Sequence, residues 1–327
     1  MVKRFADGEI FVQVLENVRS CDVYLVQPTC QPVNDNLMEL LLTVGALRRA
    51  SAGRISAIIP YYGYARQDRK DRPRVTISAA DVARMIESMG VDRVVCVDLH
   101  CGQIQGFFGP RTPVDNLYAG PIALQYFKFK QLQNPVVVSP DAGGVYRAKT
   151  FKEGLVGIGV DAQMAMIIKQ RKAAGVIGTM DLVGHVKGCD CIIVDDMIDT
   201  AGTLCTAANE LKMMGACVFV SSPATLRCTD QGRVLENVLC RMIDGLWLLM
   251  CRAKIFAFAT HGLFNGPAPD RIEKSALDEV VITNTVPLKG GIPEKTNKIK
   301  QLSIGKLLSE SIQCIHTVRL PGPVRSV

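Results

Sequence analysis

Two adjacent carboxylates end an apolar run in Ile192–Thr203, IIVDDMIDTAGT. The run reads as a buried strand with Asp195 and Asp196 at its tip. Asp199, Thr200, Ala201, Gly202 and Thr203 then form a turn that opens a helical pattern, with Leu204, Ala207, Ala208, Leu211 and Met214 at three- and four-residue spacing. A turn entering a helix offers backbone N–H groups and the positive end of the helix dipole to an anion. Carboxylates touching that anion would repel it. They make sense gripping a group attached to it that donates hydroxyl hydrogens, such as the 2′ and 3′ hydroxyls of a ribose 5-phosphate. Asp199 by itself is also what any helix N-terminus favours; the pair and the turn together point to a sugar-phosphate clamp.

Stepping outward, three more apolar runs end in polar chemistry: YYGYARQDRKDRPR (Tyr61–Arg74), DLHCGQ (Asp98–Gln103) and DAGG (Asp141–Gly144). Those three runs are Ile55–Pro60, Arg93–Asp98 and Pro135–Pro140; with Val23–Pro28 and Cys191–Asp196 they are short and continuously apolar. Such runs suit strands buried on both faces of a parallel sheet, with crossover helices between them. Asn36 is a candidate cap for a helix carrying Leu37, Leu40, Leu41, Val44 and Leu47. Ligands in open α/β sheets gather at the carboxyl ends of the strands, which is where these charges fall. The fold class is α/β, as two successive doubly wound parallel-sheet domains divided near Tyr118–Pro121, so that 1–118 and 119–327 are the expected domains.

With 327 residues, two domains are the natural expectation. A net charge of +7 suits small anionic ligands as readily as nucleic acid. Twelve cysteines include no CxxC pair, and the closest, Cys189 and Cys191, have one residue between them. Cysteines such as Cys96 and Cys217 sit in apolar surroundings and read as reduced core thiols, which suits a reducing compartment. The start, MVKRFADGE, has no apolar signal core, and no run reaches the roughly 18 apolar residues of a membrane span. The expectation is a soluble, cytoplasmic protein with no nucleic-acid or membrane partner.

VDDMIDTAGT resembles the signature of the type I phosphoribosyltransferase fold in its ribose-phosphate pyrophosphokinase variant. The resemblance runs through RFADGE, TCQPVNDNLMELL, IPYYGYARQDRKDRPR, VDLHCGQIQGFF, VVVSPDAGGVYRAK, IIKQRK, ATHGLFNGPA and VVITNTVPL, and is nearest to class I. It implies an enzyme that moves the pyrophosphoryl group of ATP to C1 of ribose 5-phosphate. It implies Mg²⁺ as cofactor and a homo-oligomer, in the family dimers assembling to a hexamer. Phe5, Asp7, Gly8 and Glu9 would meet the adenosine of ATP, while Arg66, Gln67 and His100 would meet its phosphates. His100 and Asp141, with Asp98 and Asp115 nearby, are the implied metal positions. Lys169 and Arg171 are the implied catalytic cations of a mobile loop, with Arg171 also at the ribose 5-phosphate site beside Asp195, Asp196 and Asp199–Thr203.

The chain departs from that pattern in three places. An opening strand expected before KRFADGE is missing, which would leave an unpaired sheet edge. An insertion at about 218–253 interrupts a helix-to-strand connection, read either as a gene-model artefact or as a surface insertion whose LENVLCRMIDGLWLLM forms an extra amphipathic helix. The GFFGPRTPVDN turn is long, with Gly109 where the family commonly has an acid, and His185 stands in another acidic position. These departures keep a second reading open, a catalytically silent relative that regulates an active enzyme by joining its oligomer.

Overall fold

The computed structural model describes residues 1–173, 176–215, 219–221, 238–243, 246–251 and 253–317, with the backbone course alone for 169–180 and for the strands within 219–251. The chain divides into two compact units. The first comprises Met1–Ala119, Thr283–Pro287 and the chain from Ser303 onward; the second comprises Gly120–Ile282 and Leu288–Leu302.

The first unit opens with an antiparallel hairpin, β1 (Val2–Arg4) and β2 (Ile10–Val12). A four-stranded parallel sheet follows, built from β3 (Asp22–Val26), β4 (Arg54–Ile59), β5 (Arg93–Val97) and β6 (Val114–Leu117), in that order across the sheet. Helix α1 (Val33–Arg49) crosses from β3 to β4, and α2 (Ser78–Ser88) from β4 to β5. Helix α1 buries Leu37, Leu40, Leu41, Val44 and Leu47, one stripe at helical spacing, against the sheet. Ile55, Ile58, Ile59, Val94, Val95 and Cys96 are fully buried, as expected of strands covered on both faces. Asn36 does not cap α1. The helix starts three residues earlier, and the Asn36 side chain instead donates to the Cys30 carbonyl at 2.8 Å. Strand β3 is an edge of this sheet.

The second unit is a seven-stranded sheet. In chain order it contains α3 (Gly120–Lys128), β7 (Val136–Ser139), α4 (Val145–Gly157), β8 (Gln163–Ala173), β9 (Val176–Val183), β10 (Cys191–Ile198) and α5 (Gly202–Met213). After the insertion strands β11 (Phe219–Ser221), β12 (Val238–Ile243) and β13 (Leu246–Cys251) come β14 (Ile255–Gly262), α6 (Ala268–Lys274), β15 (Glu279–Thr283), α7 (Ile292–Lys295) and β16 (Ile299–Leu302). The sheet order is β16-β15-β14-β10-β7-β8-β9, parallel from β8 across to β15, with β9 antiparallel to β8. Strand β10 therefore lies centrally, in register with β14 on one side and β7 on the other. The last helix, α8 (Gly305–Thr317), belongs to the first unit.

The insertion overturns one expectation. Residues 235–250, read as an amphipathic helix, are instead strand where described: β12 pairs antiparallel with β13, and β13 with β11. Ile243 stands opposite Leu246, and the sequence between them is Asp-Gly, a strong hairpin signal that the helical reading passed over.

Asp190 ties the amino ends of three strands together. Its buried carboxylate accepts the Gln133 N–H at 2.8 Å and the Lys254 N–H at 2.7 Å, while its carbonyl accepts from Val136 N–H at 2.8 Å. Asp190→Ala leaves two part-buried amides without their acceptor, and urea unfolding should show a loss of about 1–3 kcal/mol. A change below about 0.5 kcal/mol would mean those amides find other acceptors.

Candidate functional site

Strand β10 is buried from Cys191 to Val194 and reaches the surface only at its tip. Asp196 remains buried there at 4% exposure, while the Asp195 side chain is 31% exposed. The Asp195 carboxyl is raised above the usual carboxylate range, by burial first and then by the adjacent Asp196 charge; Arg147 opposes this. The Arg147 guanidinium stands 3.6 Å from Asp195 Oδ1 and 3.8 Å from Asp196 Oδ1.

The turn after the pair is held from its carbonyl side. Asn265 donates its backbone N–H to the Asp199 carbonyl at 3.0 Å and its Nδ2 to Asp199 Oδ1 at 2.7 Å. Arg271 donates to the Thr200 carbonyl at 3.0 Å. Ala201 is left-handed, at φ 56 and ψ 11, and α5 begins immediately after it. With the carbonyls of Asp199 and Thr200 held inward, the chain enters the first turn of α5 through Gly202 and Thr203, where backbone N–H groups lack intrahelical acceptors. That first turn of α5 stands just beyond the two carboxylates of the β10 tip.

Two other tips of this unit can be located. Asp141 follows β7; its Oδ1 accepts the N–H groups of Gly143 at 3.0 Å and Gly144 at 3.1 Å, starting the turn into α4. A Cβ on Gly144 would lie 2.9 Å from Ser139 Oγ, so the tight approach needs glycine. Lys169 and Arg171, expected on a loop, stand on strand β8, opposite Met180 and Ile177 of β9, with the pairing register shifting between them. Such shifts are bulge-like features that re-aim a strand locally.

In the first unit, Phe5, Asp7, Gly8 and Glu9 form the loop of the β1–β2 hairpin. Phe5 N–H donates to the Glu9 carbonyl at 2.9 Å, Glu9 N–H to Asp7 Oδ1 at 3.1 Å, and Gly8 takes φ 94, which a side chain would oppose. Phe5 is 55% exposed and meets Phe11 edge-to-face at 6.0 Å, leaving a ring surface available for stacking. Arg66 and Gln67 follow β4 on the exposed side of a bend; Gln67 Oε1 accepts from Ser78 Oγ at 2.7 Å. His100 lies half-buried just beyond β5.

Two candidate metal positions have partners within the first unit. Asp98, left-handed at φ 43, accepts the Ala119 N–H at 3.0 Å. Asp115 sits near the amino end of β6, opposite Val95, and pairs with Arg93 at 2.5 Å, so it is not at a strand tip. Among the described residues, no three His, Cys, Asp or Glu side chains converge on a metal-sized space. Cys96 is fully buried, and burial pushes its thiol up; Cys217 lies outside the described residues. Among the described residues no helix is long and apolar enough to cross a membrane. The sequence reading missed Arg147, Asn265 and Arg271. The first lies one turn into the helix that DAGG opens, and the others lie in or just beyond GLFNGPA, with no spacing rule linking them to IIVDD.

Three family models match the chain. The N-terminal domain of ribose phosphate pyrophosphokinase matches residues 1–90, a phosphoribosyl transferase domain 114–227, and a phosphoribosyl synthetase-associated domain 248–320. A protein of Shewanella oneidensis named ribose-phosphate pyrophosphokinase is 48% identical over 316 residues, covering 96% of this chain and 86% of its own length. One of the same name from Wolinella succinogenes is 45% identical over 315 residues, covering 96% and 87%. The crystal structure of phosphoribosylpyrophosphate synthetase from Mycobacterium smegmatis superimposes with a TM-score of 0.79 at 36% identity, over 97% of this chain and 90% of that one.

The left-handed Ala201 offers a local test of the anion seat expected at this turn. A β-branched residue tolerates that backbone poorly, whereas glycine adopts it freely. Ala201→Val should weaken phosphate-ester binding about tenfold or more, and Ala201→Gly should stay within about threefold, measured by calorimetry. Equal losses in both would indicate that the methyl, not the backbone conformation, is what matters.

Proposed function

The chain belongs to the ribose-phosphate pyrophosphokinase family, and on that premise we propose how its strand tips divide the reaction. It is a diphosphotransferase that moves the β,γ-pyrophosphoryl group of ATP to the C1 hydroxyl of ribose 5-phosphate. The C1 oxygen bonds to the β-phosphorus, the bond from that phosphorus to the α-bridging oxygen breaks, and AMP leaves with that oxygen. The named relatives are pyrophosphokinases, which favours an active enzyme over a silent regulatory subunit.

The observation that carries the assignment of parts is the pair of a half-buried Asp195 and a buried Asp196 beside the left-handed turn into α5. Asp195 and Asp196 accept hydrogen bonds from the sugar's hydroxyls, and the N–H groups of Asp199–Thr203 seat its 5′ phosphate, so that C1 is presented in one orientation. Lys169 and Arg171 neutralise charge that builds on the transferring group, the principal task in a reaction governed by positioning and electrostatics. Phe5 stacks on adenine, Asp7 and Glu9 accept from the adenosine, and Arg66, Gln67 and His100 hold the phosphates.

Mg²⁺ fits this arrangement as a cation carried on the nucleotide. It retains waters and takes one or two protein oxygens plus substrate phosphates, so no three-residue cage is required. Asp141 and His100 are the residues that would meet it; Asp98 and Asp115 have the structural partners described above. When bound, Mg²⁺ supplies charge neutralisation on the triphosphate. A cytoplasmic homo-oligomer, dimers assembling to a hexamer, completes the reading, with ATP and ribose 5-phosphate as its ligands.

Purified protein given ATP, Mg²⁺ and ribose 5-phosphate should yield AMP and phosphoribosyl pyrophosphate in equal amounts. Lys169→Ala should lower kcat by at least about a hundredfold while ribose 5-phosphate affinity stays within about threefold. Unchanged turnover would remove Lys169 from its role.

A further inference from the structure

The clamp raises an electrostatic problem that its two carboxylates do not solve. Successive aspartates in a water-poor position repel each other and tend to share one proton. A protonated carboxyl presents a donor where a sugar hydroxyl also donates, and one acceptor direction is lost. Something must hold both groups ionised without occupying the oxygens that the sugar needs.

Arg147 meets both conditions. Its distances of 3.6 and 3.8 Å to the two carboxylates are too long for hydrogen bonds. They are short for charge: at a partly buried position, a cation this close strongly favours the ionised form. Its own side chain is only 24% exposed, so solvent screens it poorly. Its place is set by the backbone, because Asp141 caps the turn through Gly143 and Gly144, α4 starts at Val145, and Arg147 falls in the first turn of that helix. Burial and Asp196 together outweigh Arg147, so the Asp195 carboxyl remains above the usual carboxylate range, and Arg147 is the influence that opposes a further rise.

We propose that Arg147 is a positioning residue that favours the ionised forms of Asp195 and Asp196 through charge alone, so that more of the pair is ready to accept the sugar's hydroxyls near neutral pH. The proposal rests on the clamp reading above. Other groups around the pair are Asp199 in the following turn and His261 of β14, in register with Met197. Strand β7 brings no titratable side chain, and α5 carries Glu210 and Lys212 towards its far end. These are common to all variants below, as is the phosphate ester's own ionisation near pH 6, so differences between variants isolate Arg147.

The test is calorimetric titration of the full chain with ribose 5-phosphate, in Mg²⁺ and a non-hydrolysable ATP analogue, using buffers of different ionisation enthalpy. Removing the cation raises the pair's pKa, so the ionised form is reached only at higher pH. Arg147→Gln should bind about tenfold more weakly than wild type near pH 6.5, and the deficit should shrink to within about threefold near pH 9, since one pKa unit is tenfold. It should also release more protons on binding at neutral pH, and Arg147→Lys should restore most of the affinity. A deficit of equal size at every pH, or unchanged proton release, or no deficit, overturns the proposal. Asp195→Asn supplies a check that needs no change at Arg147: it should flatten the pH dependence of binding, and retention of the wild-type profile would also overturn it. Loss of binding in Asp196→Asn supports the clamp independently, whereas wild-type protein that takes up no ribose 5-phosphate would sink the clamp reading itself.

Discussion

The constraint on which the second unit turns is that a fully buried central strand ends in two carboxylates. Cys191 to Val194 can be continuously apolar because β10 has neighbours on both edges and helices on both faces. That burial extends to Asp196, which remains almost wholly enclosed, while Asp195 beside it is partly exposed. A charge there is costly unless the surroundings compensate it. The supporting features follow from this cost: a guanidinium aimed between the two acids, a turn whose carbonyls are held by Asn265 and Arg271, and a helix whose N-terminus favours negative charge beside it.

The two ends of the same strands are used differently. At the amino ends, Asp190 satisfies amides from three segments and serves cohesion. At the carboxyl ends, Ala201 is left-handed in one unit and Asp98 in the other, while Ser51 and Asn134 are left-handed before strands β4 and β7. Left-handed non-glycine residues cost about 1–2 kcal/mol each and persist only where the surroundings impose them.

Several disagreements between sequence pattern and fold share one cause. Asn36 looked like a cap because a polar residue precedes an apolar stripe, yet the helix extends back to Val33 and turns that side chain onto Cys30. IIKQRK carries no strict alternation, and only its pairing with β9 makes it strand. Residues 238–251 alternate too weakly to separate helix from strand by periodicity, so the Asp-Gly dipeptide was the better guide. In each case a hydrogen-bond partner outside the segment's own pattern decided the matter: Cys30 for Asn36, β9 for β8, and β13 for β12.

What the sequence by itself determined is the class of fold and the identity of the chemistry-bearing tips. Buried parallel strands must be continuously apolar, and charge abruptly ending such a run is visible in one dimension. The tertiary structure alone decided which residues serve those tips. Arg147 lies 48 positions before Asp195, and Asn265 lies 66 after Asp199. Their roles arise from the parallel stacking of β7, β10 and β14, because hydrogen bonds and Coulomb forces act over a few ångströms in space, whatever the separation along the chain.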